Sequence, residues 1–243
     1  MSDKDIEIIK TNKHYKSKES NSYSSFYHFS CGDYYHPRKM NFGILRVFND
    51  VTRFDKDDEY NPQYHTNIEI IYLVQNGVVD YCDELGNTCT ISTDEGFRIS
   101  SGRGLIWGIK NISDNIPLNL IEIWIFPKDI GHKSSFEKQS YSRDCYENKI
   151  YQIIKPNTNI LNINDYSIYI SRITCQNEVT YFNDSERRVY LYVKEGKITI
   201  NNSEEMKSMD SAKIKICPNR PLVIRNNLQH PALVILVDIP KDD

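Results

Sequence analysis

The sequence predicts an all-β protein built from two similar antiparallel barrels. Short runs rich in β-branched and aromatic residues recur from about residue 42 onward, and Asn/Gly turn signals separate them. No long amphipathic helical pattern interrupts these runs, so a sandwich or a barrel is expected. Both halves also repeat one pattern, a strand, two polar residues, a glycine and a second strand, around Gly77 and again around Gly196. A duplicated barrel is the simplest account of this repeat.

The first half contains five strand candidates. The run 68–74 is apolar at both alternating positions, whereas a strand with one solvated face would alternate apolar and polar residues. We therefore expect one face of this strand to fill a barrel and the other to press on a second layer, which suits two barrels packed face to face. The turns at 75–77 and 84–87 are typical of hairpins. The strand candidates are 43–48, 68–74, 78–82, 88–91 and 118–126.

A polar stretch divides the two halves. Residues 127–146 are interpreted as a surface connection, which gives an N-terminal domain over 1–140 and a C-terminal domain over 141–243. Residues 1–24 are interpreted as a polar arm or loop with one strand candidate at 6–9. The strand candidates of the second half are 166–170, 189–193, 197–200, 212–216, 222–225 and 233–239.

Composition narrows the class of protein. The 243 residues are 39% hydrophobic and 26% charged, which is typical of soluble globular proteins. Formal net charge is −3, and Lys and Arg form no basic stripe, which argues against direct nucleic-acid binding. No apolar run approaches the roughly 20 residues that span a bilayer, and the first residues lack the core of a signal peptide, so a cytoplasmic location is expected. The six cysteines form no CxxC pair, which argues against structural zinc or a disulfide scaffold.

Several stretches together resemble the pirin family, whose bacterial members include quercetin dioxygenases. The resemblance lies in the block 29–50, in the strand and hairpin 65–87, in the Ser101-Gly-Arg-Gly-Leu-Ile106 segment, and in 186–196 and 234–240. It covers roughly residues 22–240. It implies a bicupin, which consists of two antiparallel β-barrels of the jelly-roll or cupin type, packed face to face.

The resemblance also implies a metal site. In pirins the N-terminal barrel holds Fe(II) or another divalent metal on three histidines and a glutamate, supplied as His-x-His on one strand and His-x-Glu on another. Carried onto this chain, these positions are Gln63, His65, Trp107 and Ile109, so only His65 keeps the family's residue. Because one ligand of four cannot hold a metal tightly, we expect no metal cofactor. Trp107 and Ile109 are expected to fill the cavity of the former site.

Two residue pairs are further candidates for chemistry. His65 and Glu69, taken as four residues apart on one strand, would share a face and could act as acid and base. The alternative is a buried imidazole in a structural hydrogen bond. Cys82 and Cys89 could face each other across a hairpin as a redox pair, or they are two half-buried thiols.

Three functions remain open at this point. The leading hypothesis is a pirin-like protein without oxygenase activity that binds a small aromatic molecule or a protein partner, with no direct nucleic-acid or membrane contact. The second is an enzyme, either of the quercetin 2,3-dioxygenase type or a metal-free acid–base variant that uses His65 and Glu69. The third is regulation through protein partners, because some pirins are transcriptional co-regulators.

Overall fold

Strands supply nearly all the regular structure, as the recurring β-rich runs predict. The computed structural model describes residues 5–20, 23–57, 59–154, 165–218 and 220–241. Its two helices, a 3-10 turn (Thr11–Lys13) and α1 (Arg143–Tyr146), are both too short to cross a membrane. The chain divides into an N-terminal unit, Tyr15–Tyr141, and a C-terminal unit made of the described parts of Ser142–Asp243 and Met1–His14.

The N-terminal unit consists of two antiparallel sheets. Its strands are β2 (Tyr15–Ser20), β3 (Tyr23–Tyr27), β4 (Leu45–Arg53), β5 (Asn61–His65), β6 (Glu69–Asn76), β7 (Val78–Asp83), β8 (Thr88–Ser92), β9 (Glu95–Ser100), β10 (Leu105–Asn111), β11 (Leu118–Ile125) and β12 (Ser135–Ser140). One sheet has the order β12-β9-β6-β11-β4-β3-β2, and the other has the order β5-β10-β7-β8.

One hydrophobic core lies between these two sheets. Ile70 and Tyr72 of β6 belong to it from one sheet, and Trp107 and Ile109 of β10 belong to it from the other. Because successive side chains of a strand point to opposite faces, these residues define the face of each strand that is turned into the barrel. We call this face the inner face.

The C-terminal unit repeats the same plan. Its strands are β1 (Ile6–Ile9), β13 (Tyr151–Ile154), β14 (Ser167–Ile173), β15 (Glu178–Tyr181), β16 (Arg187–Glu195), β17 (Lys197–Ile200), β18 (Glu204–Lys207), β19 (Ser211–Ile216), β20 (Leu222–Arg225) and β21 (Ala232–Pro240). They form a sheet of order β1-β19-β16-β21-β14-β13 and a sheet of order β15-β20-β17-β18. A second hydrophobic core, which includes Leu191, Ile198 and Leu236, lies within this unit.

The predicted repeat is present in the fold. In the N-terminal unit the chain passes at Gly77 from β6 in the larger sheet to β7 in the smaller one, and in the C-terminal unit it passes at Gly196 from β16 to β17. The φ angles of these glycines are 91° and 80°, a region that L side chains rarely adopt. The strand, glycine, strand pattern therefore marks the equivalent point of each barrel.

Three strands differ from the sequence interpretation. Strand β2 and the first residues of β3 lie in the stretch 1–24 that was interpreted as an arm or loop, and β12 lies in the stretch 127–146 that was interpreted as a surface connection. Strands β2 and β12 have few apolar residues and lie at the two edges of their sheet. An edge strand needs little apolar character, because a single neighbouring strand supplies its hydrogen bonds. Hydrophobic patterning therefore does not detect it.

The strand at Ile6–Ile9 is present as predicted, but it belongs to the other half of the molecule. It pairs with β19 in the C-terminal unit, with Ile6 opposite Ile214 and Ile9 opposite Ser211. The expected N-terminal domain of 1–140 placed this arm with the first barrel, whereas the structure groups its described residues, 5–14, with the second. The arm joins the second barrel because β1 pairs with the edge strand β19 of that sheet.

Asp210 anchors this arm. Its carboxylate accepts hydrogen bonds from the backbone N–H groups of Thr11 at 2.8 Å and Lys207 at 3.1 Å, and it pairs with Lys10 Nζ at 3.1 Å. The Asp210 side chain is fully buried, whereas half of the Lys10 side chain is exposed. Two backbone donors and a cation together balance the cost of burying this carboxylate.

Two glycines in the N-terminal unit give a matched test of the barrel crossing. A Cβ at Gly77 would lie 2.5 Å from Ser113 Oγ and 3.0 Å from Leu118 Cα, whereas a Cβ at Gly86 meets nothing within 4 Å. Both glycines have φ near 90°. We expect Gly86→Ala to cost about 1–2 kcal/mol from backbone strain alone. Gly77→Ala should cost about 1–3 kcal/mol more from overpacking.

Urea unfolding followed by tryptophan fluorescence measures this difference, because both tryptophans of the chain lie in the N-terminal unit. An equal loss of stability in the two variants would show that the crossing at Gly77 is not sterically constrained.

The anchoring of the arm is tested by a second pair of variants. Asp210→Ala leaves the two backbone donors without their acceptor, so we expect the free energy of unfolding to fall by about 1–3 kcal/mol. Lys10→Ala removes an exposed partner and should cost less than about 1 kcal/mol. Urea unfolding followed by circular dichroism gives both values, and amide exchange of Ile6–Ile9 shows whether the arm is released. Unchanged exchange in Asp210→Ala would contradict the anchoring role.

Candidate functional site

The pairing of β5 with β10 places the four metal-site positions implied by the family resemblance on one face. Gln63 lies directly opposite Trp107, His65 lies opposite Leu105, and Ile109 lies opposite Asn61. Residues directly opposite each other in an antiparallel pair project to the same side. Because Trp107 and Ile109 are part of the core, Gln63 and His65 also point to the inner face.

Trp107 and Ile109 are embedded in the core of the barrel. Their exposed fractions are 1% and 2%. The Trp107 ring lies 6.0 Å from the Tyr72 ring and 6.4 Å from the Tyr81 ring, measured between ring centroids. The indole therefore occupies interior volume that an imidazole would leave open.

His65 lies at the more accessible end of the same face. Its ring centroid is 5.8 Å from that of Trp107 and 4.8 Å from that of Trp124, and the Trp124 contact is edge-on. Partial burial lowers the pKa of His65 from its usual value of 6.5, because a charged imidazolium loses hydration there. His65 is therefore a neutral imidazole at pH 7, with one nitrogen as a donor and the other as an acceptor.

Glu122 is the carboxylate of this site, and the sequence analysis missed it. It lies on the inner face of β11, opposite Asn49 on one side and Tyr72 on the other. Its Oε1 accepts hydrogen bonds from the Tyr72 hydroxyl at 2.8 Å and from Trp124 Nε1 at 3.1 Å, and its Oε2 accepts one from Asn49 Nδ2 at 2.8 Å. A signal was present, because Glu122 interrupts the apolar positions Leu118, Leu120 and Trp124 of one strand face.

Burial and the Glu122 carboxylate raise the pKa values of two neighbouring groups, Tyr72 and Cys31. Burial, and then the nearby Glu122, raise the pKa of Tyr72 well above its usual value, so the phenol stays protonated and donates to Glu122. The same two causes raise the pKa of the Cys31 thiol. Cys31 Sγ also lies 3.8 Å from Asn49 Nδ2. The inner face at this end is therefore a connected polar network set in aromatic walls.

The structure does not bring Glu69 to His65, and the expectation that both lie on one strand is wrong. His65 ends β5 and Glu69 begins β6 in the other sheet, with a turn between them at Asn67, whose φ is 49°. Glu69 alternates with Ile70 and therefore points away from the inner face. It lies 3.5 Å from the Arg98 guanidinium, and burial raises the pKa of its carboxyl. The two residues do not form an acid–base pair.

The two cysteines of the β7–β8 hairpin do not face each other either. Cys82 is paired with Thr88, and Cys89 is paired with Tyr81. Cys89 shares the inner face with Tyr81 and packs against the core, whereas Cys82 points to the outer face. A disulfide between them would require a rearranged hairpin, so the interpretation as two half-buried thiols fits this geometry.

The four side chains do not fit the three-histidine, one-glutamate centre that the resemblance implies. An indole and an alkyl group carry no lone pair for a metal, so Gln63 and His65 alone could offer an amide oxygen and an imidazole nitrogen. Among the residues that the structure describes, no three His, Cys, Asp or Glu side chains are grouped at metal-binding geometry.

Comparisons of sequence identify relatives over most of the chain. The family model described as Pirin matches residues 9–125. A quercetin 2,3-dioxygenase of Escherichia coli is 26% identical over 219 residues, which cover 89% of this chain and 91% of that protein. A pirin-like protein of Caulobacter vibrioides is 26% identical over 193 residues, which cover 78% of this chain and 82% of that protein.

Solved structures agree with the fold. The crystal structure of YhhW from Escherichia coli superimposes with a TM-score of 0.85 at 24% identity and covers 98% of both chains. The nickel(II) complex of the bacterial pirin YhhW from Escherichia coli gives a TM-score of 0.84 at 24% identity, covering 98% of this chain and 100% of that one. The prediction of two antiparallel β-barrels of the cupin type is thus confirmed. The matched family model, the relatives along the chain and the two-barrel fold agree, and residues 9–125 form a domain of the pirin family.

Proposed function

We propose that this pirin binds a small molecule in its N-terminal barrel and does not carry out metal-dependent oxygenation. The observation that supports this proposal is the β5–β10 register, which places Gln63, His65, Trp107 and Ile109 together on the inner face. A divalent metal needs several nitrogen and oxygen donors at about 2.0–2.2 Å, and Trp107 and Ile109 supply none. The chemistry of this face is recognition by hydrogen bonds and aromatic contacts.

Access to the site supports binding by an external molecule. Gln63, His65, Glu122 and Trp124 all point to the inner face, yet all four are partly exposed to solvent. Solvent therefore reaches the inner face at this end, while Trp107 closes it toward the core. Such a site, apolar and aromatic with a few fixed polar groups, is typical of small-molecule pockets.

The enzyme alternatives receive less support from the geometry. The metal-free acid–base variant required His65 and Glu69 to act together. The His65 side chain points to the inner face, whereas that of Glu69 points away from it. Quercetin 2,3-dioxygenase is the name of a relative. For this chain to have that activity, its metal would need ligands other than the residues at these four positions.

Metal content and quercetin turnover test the proposal directly. We expect protein purified without a tag to contain far less than one equivalent of iron, nickel or zinc by elemental analysis. Quercetin should not be consumed, with or without added Fe(II), under conditions in which the Escherichia coli quercetin dioxygenase consumes it. Stoichiometric metal together with quercetin turnover that a chelator abolishes would overturn the proposal.

A variant that rebuilds the family's ligand set makes the complementary prediction. Gln63→His, Trp107→His and Ile109→Glu combined place three imidazoles and a carboxylate on the inner face, so we expect the variant to gain nickel binding. Exchanging the buried indole for an imidazole leaves a cavity, which should cost about 2–4 kcal/mol of stability.

The matched control is Gln63→Asn, Trp107→Phe and Ile109→Leu combined, which alters the same three positions without adding ligands. Isothermal titration with nickel(II) compares the two variants and the parent. Nickel binding by the parent as tight as that of the rebuilt variant would show that the present residues already form a metal site.

A further inference from the structure

A cavity of about 240 Å³ lies within the C-terminal unit, beside the start of β16 and the end of β19. This volume is below the roughly 300–1,000 Å³ of sites that hold drug-sized molecules, so the cavity suits a smaller ligand. Ile216, which belongs to the hydrophobic core of this unit, forms an apolar part of its wall, and Cys217 lies next to it. The cavity therefore reaches from solvent to the edge of the core.

Positive charge dominates the wall of this cavity. Of the seven described residues that line it, four are Arg or Lys and one is Glu. Two of the cations are committed to carboxylates of the chain. Arg187 donates to Asp238 at 2.5 Å and to Asp165 at 2.6 Å, and Lys241 pairs with Glu186. These ion pairs fix the position of that part of the wall.

The other two cations, Arg188 and Lys215, lie directly opposite each other in the pairing of β16 with β19. Directly opposite residues project to the same side of the sheet with Cβ atoms about 4.5–5.5 Å apart, and like charges at this spacing repel each other. Arg188 is half-buried and Lys215 is exposed, so solvent screens this repulsion only in part. A group with two negative charges between the two side chains would turn the repulsion into attraction.

We propose that this cavity binds a small phosphate monoester, with the phosphate between Arg188 and Lys215. A phosphate monoester carries about −1.5 to −2 charges at pH 7 and three acceptor oxygens, so one group balances both cations. The guanidinium fork matches two phosphate oxygens, and the ammonium adds a point charge. The organic part of the ligand packs against Ile216. The site lies in the other unit from the proposed small-molecule site and does not depend on it.

Charge separates the phosphate monoester from other small ligands. A monocarboxylate balances one of the two cations and leaves the other uncompensated, and a neutral molecule compensates neither. A dicarboxylate carries two charges but places them on separate groups, so it does not concentrate them between two opposite side chains. A ligand with more charge than a monoester meets the Glu186 carboxylate in the same wall. The monoester therefore matches both the charge and the volume of the cavity.

Calorimetric titration of the full-length protein at low ionic strength tests the class of ligand. The probes are glycerol 3-phosphate, inorganic phosphate, succinate and glycerol. We expect glycerol 3-phosphate to bind in a saturable manner, at least as tightly as inorganic phosphate, and more weakly as salt is added. Succinate should bind at least about tenfold more weakly, which corresponds to one unmade charge-assisted hydrogen bond, and glycerol should not bind.

Two lysines of β19 give a matched pair of variants. Lys213 lies on the same face of the strand as Lys215 but outside the described lining of the cavity, and it lies 3.8 Å from Glu7. We expect Lys215→Ala to weaken binding of glycerol 3-phosphate by about tenfold, and Arg188→Gln to do the same. Lys213→Ala removes the same charge and should weaken it by no more than about twofold, because a screened charge outside the cavity contributes little.

Cys217 reports whether the ligand occupies this cavity. Alkylation by iodoacetamide, followed by peptide mass spectrometry, should slow at Cys217 in proportion to the occupied fraction, because the ligand blocks access to the thiol. Cys175, in the same unit and outside the described lining, should react at an unchanged rate.

Four results would each overturn the proposal. They are no binding of glycerol 3-phosphate by the parent protein, tighter binding of succinate, equal losses of affinity in Lys213→Ala and Lys215→Ala, and unchanged alkylation of Cys217 at saturation. The first two and the last are read on the parent protein, so the outcome does not depend on how well a variant folds.

Discussion

The register between β5 and β10 is the constraint on which the rest of the site depends. With Gln63 opposite Trp107, the indole enters the core and the imidazole of His65 lies beside it. A slip of one residue would turn Tyr64 and Ile106 inward and expose Trp107, because side chains alternate between faces. Tyr64 and Ile106 are 64% and 45% exposed, so the pair has a clear outer and inner side. The burial of Trp107 thus fixes the register, and the register fixes the site.

Glu122 depends on that arrangement and also supports it. A partly buried carboxylate inside a barrel is unfavourable unless donors surround it, and Tyr72, Trp124 and Asn49 supply three hydrogen bonds. These donors come from three neighbouring strands, so the network holds β4, β6 and β11 in register across the larger sheet. The same bonds orient Trp124 against His65. Hydrogen bonds to Glu122 thus position Tyr72 and Trp124, whereas Trp107 is positioned by packing.

The sequence predicts the apolar strands and the repeat well, because runs of apolar residues mark the buried strands and glycines mark the turns between them. It does not predict edge strands such as Ser135–Ser140, in which β9 supplies the paired backbone and Phe136 is the single apolar residue that packs against the core. It places Glu69 wrongly, because the turn at Asn67 separates two strands that look continuous in the pattern. The group around Glu122 depends on cross-strand partners up to 73 positions away in the chain, and no local pattern contains that information.

Trp107 links the proposed metal-free role to the stability of the barrel. An indole offers no lone pair to a metal and has no redox function, so we do not expect a barrel with Trp107 at this position to activate oxygen through the ligand set that the resemblance implies. Its bulk also makes the core behind it continuous, since Trp107 contacts both Tyr72 and Tyr81. The residue that in our proposal removes a metal ligand therefore also contributes to the packing of the core.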